Sequence, residues 1–226
     1  MLPNYHVQNK GVPGYGLVQM YLALKSEVEK GNKPKLAVFN YASFQDERTP
    51  LSRHWIENFR YAVVQSGSAT NAGMVYPYGT IKEGTTDSLI IGYCHWNDWS
   101  KDFLFRDKSA FINLCNTSYT TWHDHKNEAL FRTISELTAF KIIAYCKQNG
   151  IAVVFAGMTN DTKFLLDKIA SKGNHTLLFM VDVMEPGFNC APLDPGHPNA
   201  RAHREYAREV YAYITSAKLI TMDSGQ

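Results

Sequence analysis

The chain has 226 residues, of which 45% are hydrophobic and 19% charged, so it can bury one sizeable core as an ordinary globular domain. A formal net charge of +2, with lysines and arginines spread along the chain, argues against nucleic acid as a partner. No apolar run reaches the length of a membrane helix, and the four cysteines form no C-x-x-C pair, so we expect no membrane segment, no disulfide scaffold and buried free thiols.

Hydrophobic periodicity predicts alternating strands and helices in the first part of the chain. A short strand is expected at residues 5–8, a helix at 15–29, a buried strand at Leu36–Tyr41 and a helix at 52–65.

The middle of the chain, residues 73–126, has a different character and is interpreted as an insertion. Two short strands at 74–79 and 88–93 flank a Gly/Thr-rich turn and predict a β-hairpin. Aromatic rings beside Asn, Asp and His are typical of sugar-binding surfaces, which makes three tryptophans candidates for substrate binding: Trp96, Trp99 and Trp122. The alternative is that these rings pack the insertion onto the main core.

A triplet of potential metal ligands, His123-Asp124-His125, lies near the end of this insertion. Alternate residues of an extended segment, with no further acidic or Cys ligand nearby, make a weak site. We therefore interpret the triplet as part of a polar loop and predict no metal.

Alternation of strands and helices resumes in the last part of the chain. The expected elements are a long helix at 129–148, a strand at 151–155, a helix at 161–171 and a strand at 176–181, while a short helix at 109–116 is expected inside the insertion. Together with the first part, this order predicts an α/β fold with a mostly parallel sheet and helices on both faces.

The stretch Asp194-Pro195-Gly196-His197-Pro198 carries the clearest chemistry. In a turn that two prolines keep out of a helix, Asp194 can accept one ring N–H of His197 and leave the other nitrogen as a base. Such a pair needs a hydroxyl or thiol nucleophile from elsewhere in the fold. The same residue types are common in turns, so an ordinary turn is the alternative. Pro198 is expected in the first turn of a helix whose apolar face is formed by Ala202, Tyr206, Val210, Ile214 and Ala217.

This stretch resembles the last motif of the SGNH (GDSL-type) hydrolases, D-x-x-H-P before a terminal amphipathic helix. Residues 9–19, N-K-G-V-P-G-Y-G-L-V-Q, are similar to the N-x-G-V-x-G-Y-G-x-x-Q segment of the same family. The resemblance implies a three-layer, flavodoxin-like domain over residues 1–226, in which Asp194 and His197 complete a triad with a serine. It also implies that the Gly14 amide is an oxyanion-hole donor, and that Gln45, which stands where many members have Asn before Asp, is another.

The sequence departs from the family in one important respect, because it contains no Gly-Asp-Ser. The family carries that serine at the end of its first strand, before the N-x-G segment. Ser43 and Ser68 stand in the wrong places in the family order and are disfavoured as nucleophiles. The sequence is therefore interpreted either as an N-terminally truncated piece of a longer hydrolase or as a protein that has lost catalysis.

We favour truncation, because the first strand of a doubly wound sheet is normally interior and its loss would leave two neighbours unpaired. A first strand, with any signal peptide, is then expected upstream of Met1. The resemblance implies a serine esterase without a cofactor, acting on a small-molecule or glycan ester such as an acyl group on a carbohydrate. The alternative is a non-catalytic glycan-binding protein on the same scaffold.

Overall fold

The computed structural model describes residues 6–12, 14–58, 75–85, 87–95, 108–182, 185–190, 192 and 194–220. Its helices and strands are, in chain order, α1 (Leu17–Glu29), β1 (Leu36–Tyr41), α2 (Gln45–Arg48), β2 (Val75–Ile81), β3 (Leu89–His95), α3 (Ala110–Gln148), β4 (Ala152–Gly157), α4 (Lys163–Ser171), β5 (His175–Leu178), β6 (Asn189–Cys190), β7 (Asp194–Pro198) and α5 (Ala200–Ser216). Residues 53–58 are also helical, and Asn160–Thr162 form a 3-10 turn before α4.

The chain divides into two compact units. The first, here called the sheet unit, comprises Met1–Gly11, Leu24–Ser43 and Phe140–Gln226. The second, here called the hairpin unit, comprises Val12–Ala23 and Phe44–Ala139. Helices α1 and α3 each contribute residues to both units.

A parallel sheet in the order β1-β4-β5 forms the centre of the sheet unit. Strand β4 pairs with β1 from Leu36↔Ala152 to Tyr41↔Gly157, and with β5 from Val154↔His175 onward. Four consecutive β4 residues from Val153 to Ala156 are buried, as expected for a strand covered on both faces.

Helices pack on both faces of this sheet. Neighbouring strand residues point to opposite faces, so Ala156 and Gly157 mark the two sides. Ala156 packs in a cluster with Tyr206 of α5, while a Cβ on Gly157 would collide with Leu166 of α4. These contacts confirm the predicted α/β class with a parallel sheet.

The hairpin unit contains the antiparallel pair β2 and β3, paired from Val75↔His95 to Ile81↔Leu89. Gly79 of β2 lies against α1 and α3, because a Cβ there would be 2.8 Å from Ile134 and 3.1 Å from Val18. Its N–H donates to the carbonyl of Thr49 at 2.8 Å. The β-hairpin predicted in the middle of the chain is thus confirmed, with each strand shifted by one or two residues.

Helix α3 corrects the prediction of two helices joined by a polar loop. Residues 110–148 form one helix of 39 residues that includes the His123-Asp124-His125 triplet. This stretch contains neither Gly nor Pro, so no residue stops the helix between its ends. Threonine hydroxyls in this stretch donate hydrogen bonds to backbone carbonyls one turn earlier in the helix. The Thr117 hydroxyl donates to the Asn113 carbonyl, and the Thr121 hydroxyl donates to the Thr117 carbonyl.

Two further predictions change. Residues 6–8 are not a strand, and Val7 is 73% exposed, since no described strand pairs with them. The strand predicted at 176–181 ends at Leu178. The helix predicted at 52–65 is confirmed over 53–58, and the rest of that range lies outside the described residues. Of the four cysteines, none of which is in a disulfide, only Cys146 is buried.

No helix in the described ranges is both long enough and apolar enough to span a membrane.

Candidate functional site

His197 lies in the sheet unit on β7, the strand that immediately precedes α5. The predicted turn is instead an extended segment, because Asp194 and Pro198 pair with Cys190 and Asn189 of β6 in an antiparallel ladder. The His197 side chain is exposed. The side chain of Asp194 lies outside the described part of the structure, so the predicted Asp–His contact stays a prediction.

Asn199 fixes the junction between β7 and α5. Its side-chain oxygen accepts from the N–H groups of Arg201 at 2.9 Å and Ala202 at 3.1 Å, which is an N-cap of the helix. Its side-chain nitrogen donates to the carbonyls of Gly187 and Asn189, both at 2.9 Å. Pro198 is therefore outside the helix, which corrects its predicted place in the first turn, and His197 is held two residues before the cap.

Helix α5 is anchored to the sheet unit by its predicted apolar face. Ala202, Tyr206 and Ile214 are buried, and the Tyr206 ring stacks on Phe179 with 4.4 Å between centroids. At the start of the helix, the Arg201 guanidinium lies 4.4 Å from the Phe188 ring. The backbone that carries His197 is thus attached to a well-packed helix at one end.

In the hairpin unit, Gly14 adopts a conformation that favours glycine, with φ of +86°. A Cβ there would lie 3.2 Å from the ring of Trp55. The Gly14 carbonyl accepts a 2.8 Å hydrogen bond from the Tyr76 hydroxyl, which in turn accepts from the indole N–H of Trp55 at 3.2 Å. The Gly14 backbone therefore lies close to Trp55 and Tyr76.

The helix that follows has its first amides satisfied by side chains. Gly16 N–H donates to the Gln19 side-chain oxygen at 2.7 Å, and Leu17 N–H donates to the Thr49 hydroxyl at 3.0 Å. The Gln19 side chain also donates to the carbonyl of Pro77. This is one half of a capping box, in which the residue three places into the helix reaches back to the cap. The Gly16 amide is therefore already bonded inside the protein.

Gln45 begins α2 and is 5% exposed. The Thr49 hydroxyl donates to the Gln45 carbonyl at 2.8 Å and accepts from Leu17, so Thr49 links α2 to the start of α1. A Cβ on Gly16 would lie 2.6 Å from the Thr49 nitrogen, so only glycine fits there. The structure therefore brings the segments of the two predicted oxyanion donors, Gly14 and Gln45, together within one unit.

Burial shifts the pKa values of two side chains beside this turn, Tyr76 and Arg48. Burial raises the pKa of Tyr76 to about 12, although the Trp55 hydrogen bond and the Arg48 charge act in the opposite direction. Burial also lowers the pKa of the Arg48 guanidinium, partly offset by Tyr76 and Glu47. The turn is thus flanked by a neutral phenol and a partly desolvated cation, and sequence reasoning singled out neither of them.

Trp122 lies on α3 in the hairpin unit and is 56% exposed, so it does not pack into the core. Its ring lies 5.7 Å from that of Tyr119 between centroids, and the Lys126 ammonium is 5.2 Å from it. The other two predicted substrate-binding residues, Trp96 and Trp99, lie outside the described residues.

Asp124 has a structural role that sequence reasoning missed. Its carboxylate accepts from the N–H groups of Arg53 at 3.2 Å and His54 at 2.7 Å, which begin the helix at 53–58. His123 also contacts this carboxylate, at 2.9 Å from Nδ1. Within the described ranges no group of three His, Cys, Asp or Glu side chains is arranged to hold a metal ion.

The predicted site residues are therefore divided between the units. Asp194 and His197 belong to the sheet unit, whereas Gly14, Gln45 and Trp122 belong to the hairpin unit. No family model, no curated protein and no solved structure matches this chain.

Proposed function

We propose that this chain is most of an SGNH-like serine hydrolase, an esterase acting on acyl groups such as those carried by carbohydrates. His197 is the general base and Asp194 orients it, while Gly14 and Gln45 donate hydrogen bonds to the oxyanion. The nucleophile is a serine that this chain does not contain. The fold that goes with this proposal is the three-layer, flavodoxin-like SGNH type.

The observation that carries the proposal is the placement of His197. It is exposed on an extended segment, two residues before a helix whose N-cap, Asn199, makes four side-chain hydrogen bonds. A general base must be accessible to substrate and held in position, and this junction provides both. The parallel order β1-β4-β5 and the tight Gly14–Gly16 turn are further support.

The test uses the natural protein that contains this chain. His197→Ala is expected to lower kcat for hydrolysis of an acetyl ester by about six orders of magnitude, because the base acts as a unit with the nucleophile. His203→Ala is the matched control, since this histidine is exposed on the adjoining helix α5 and has no assigned role. Turnover that survives His197→Ala would exclude the assignment.

A second candidate function, glycan binding without catalysis, is favoured by the exposed Tyr119–Trp122 pair on α3. Stacking of a sugar face on such rings needs no triad. In that case Trp122→Ala weakens the binding of an acetylated oligosaccharide, measured by titration calorimetry, while His197→Ala leaves it unchanged. Equal binding by Trp122→Ala and the unmodified chain would contradict this candidate.

A further inference from the structure

Arg48, the last residue of α2, has its guanidinium over two aromatic rings. Its Cζ is 4.3 Å from the centroid of Phe44 and 4.4 Å from that of Trp55. Contacts of this kind use the face of the planar cation. The N–H bonds lie in the guanidinium plane and stay available for hydrogen bonds. The two rings fix the orientation of that plane and so the directions of these hydrogen bonds.

This cation has no ion-pair partner in the part of the chain that the structure describes. The neighbouring acid, Glu47, instead pairs with His54 at 2.9 Å. Arg48 is half-buried, and burial lowers the pKa of its guanidinium, although an arginine stays protonated at neutral pH. A partly desolvated charge of this kind is stabilised by an anion that forms paired hydrogen bonds with it.

The guanidinium also lies beside the predicted oxyanion turn. The Trp55 ring that it contacts is the ring that Gly14 approaches, and the Arg48 carbonyl carbon would be 2.9 Å from a Cβ on Gly16. A ligand group bound by Arg48 is therefore next to the turn and not on a remote surface.

We propose that Arg48 binds an anionic group of the ligand through two in-plane N–H bonds. The chemistry required is an oxyanion with two oxygens within reach of one guanidinium, which a sugar carboxylate or a sugar phosphate supplies. The inference rests on the proposed function for the ester itself and names its substrate class, acylated acidic sugars. It assigns Arg48 to specificity and not to the reacting atoms.

The experiment measures equilibrium binding of galacturonate, galactose 6-phosphate and galactose to the 226-residue chain by titration calorimetry. At least one of the two anions is expected to bind about tenfold more tightly than galactose, and the tighter of the two identifies the source of the oxyanion. Arg48→Met is expected to bind all three sugars alike. Arg48→Lys, which keeps the charge and the fold but loses the planar fork, is expected to retain only part of the preference.

Arg208→Met is the matched control, because Arg208 is exposed on α5 and paired with Glu205 at 2.7 Å. It is expected to bind as the unmodified chain does. The proposal is overturned if the unmodified chain shows no preference for an anion, or if both Arg48 variants keep it in full. A purely structural Arg48 would change the melting temperature without changing the charge preference.

Binding separates this inference from the proposed function. A charge preference that depends on Arg48, in a natural protein that hydrolyses no ester, supports the anion site and contradicts the esterase. Ester hydrolysis that depends on His197 but not on the charge of the sugar supports the esterase and contradicts the anion site.

Discussion

Tyr76 and Tyr206 are both buried, but the surrounding chain satisfies only one of their hydroxyl groups. Tyr76 donates to the Gly14 carbonyl and accepts from Trp55. The Tyr206 oxygen is buried without a hydrogen-bond partner in the described structure. A buried polar group without a partner costs free energy, whereas a bonded one stabilises the fold modestly.

The two Tyr→Phe substitutions are therefore expected to have opposite effects at pH 7. Tyr76→Phe should lower the free energy of unfolding by about 1–2 kcal/mol, because the Gly14 carbonyl and the Trp55 N–H lose their partner. Tyr206→Phe should be neutral or raise it by up to about 1 kcal/mol, since the phenyl ring keeps its stacking on Phe179. Urea denaturation followed by circular dichroism measures both. A larger loss in Tyr206→Phe than in Tyr76→Phe would contradict this view.

Tyr76 should also contribute a pH dependence in the alkaline range. Its pKa is about 12 in the folded protein and near 10 in an unfolded chain, so between these values only the unfolded chain loses the proton. The contribution of Tyr76 to the free energy of unfolding is therefore fully present below pH 10 and is lost as the pH rises toward 12.

The free energy of unfolding of the unmodified chain, measured relative to that of Tyr76→Phe, is expected to fall by about 2–3 kcal/mol between pH 9 and pH 12, so that the variant becomes the more stable protein at the alkaline end. Urea titrations of both proteins across this range measure it, and comparing the two removes the contribution of other groups. A difference that stays constant with pH would show that the hydroxyl ionises equally in the folded and unfolded states.

At the scale of elements, the junction of β7 and α5 depends on one side chain. Asn199 accepts two amides of the helix and donates to two carbonyls of the preceding segment. The two amides belong to α5, whereas the two carbonyls belong to Gly187 and to Asn189 of β6. Loss of the Asn199 side chain is therefore expected both to uncap the helix and to detach it from the segment that contains β6.

Asn199→Ala is expected to lower the free energy of unfolding by about 2–3 kcal/mol. Asn199→Asp keeps the acceptor for Arg201 and Ala202 but removes the donors, so we expect a smaller loss. Hydrogen exchange at the amides of Arg201 and Ala202 should accelerate in the Ala variant and change little in the Asp variant. Identical exchange in all three proteins would argue against the cap.

At the scale of the whole molecule, predictions from sequence succeeded where the signal is local. Leu36–Tyr41 has the bounds predicted for it, and the apolar face of α5 is buried as its spacing indicates. The prediction failed at residues 6–8, where a short apolar pattern found no partner strand among the described residues. Within α3, polar residues suggested a loop, although nothing in the sequence stops the helix.

Part of the candidate site could also be predicted, because its signal is local in the sequence. Motif spacing pointed to His197, Gly14 and Gln45, and the structure places the last two segments side by side. Arg48 and Trp55 were missed, because their importance comes from contacts with residues far away in sequence, which no local pattern reveals.

This chain is expected to give no serine adduct with a fluorophosphonate probe. Such probes need a serine activated by a neighbouring base, and no Gly-Asp-Ser is present. Peptide mass spectrometry after labelling is the measurement, with an active serine esterase labelled in parallel to verify the probe. An adduct at Ser43 or Ser68 that disappears in His197→Ala would identify a nucleophile outside the family order.

The carboxylate of Asp124 has a consequence for the order of folding. It caps a helix that begins 71 residues earlier in the chain, at Arg53, and Thr120 of the same helix α3 donates to Glu57 at 2.7 Å. Contacts between residues so far apart in the chain require a long loop to close, which costs chain entropy and slows folding. We therefore expect the Asp124 cap at Arg53 to form only after α3 has formed and docked, which makes it a late contact on the folding pathway.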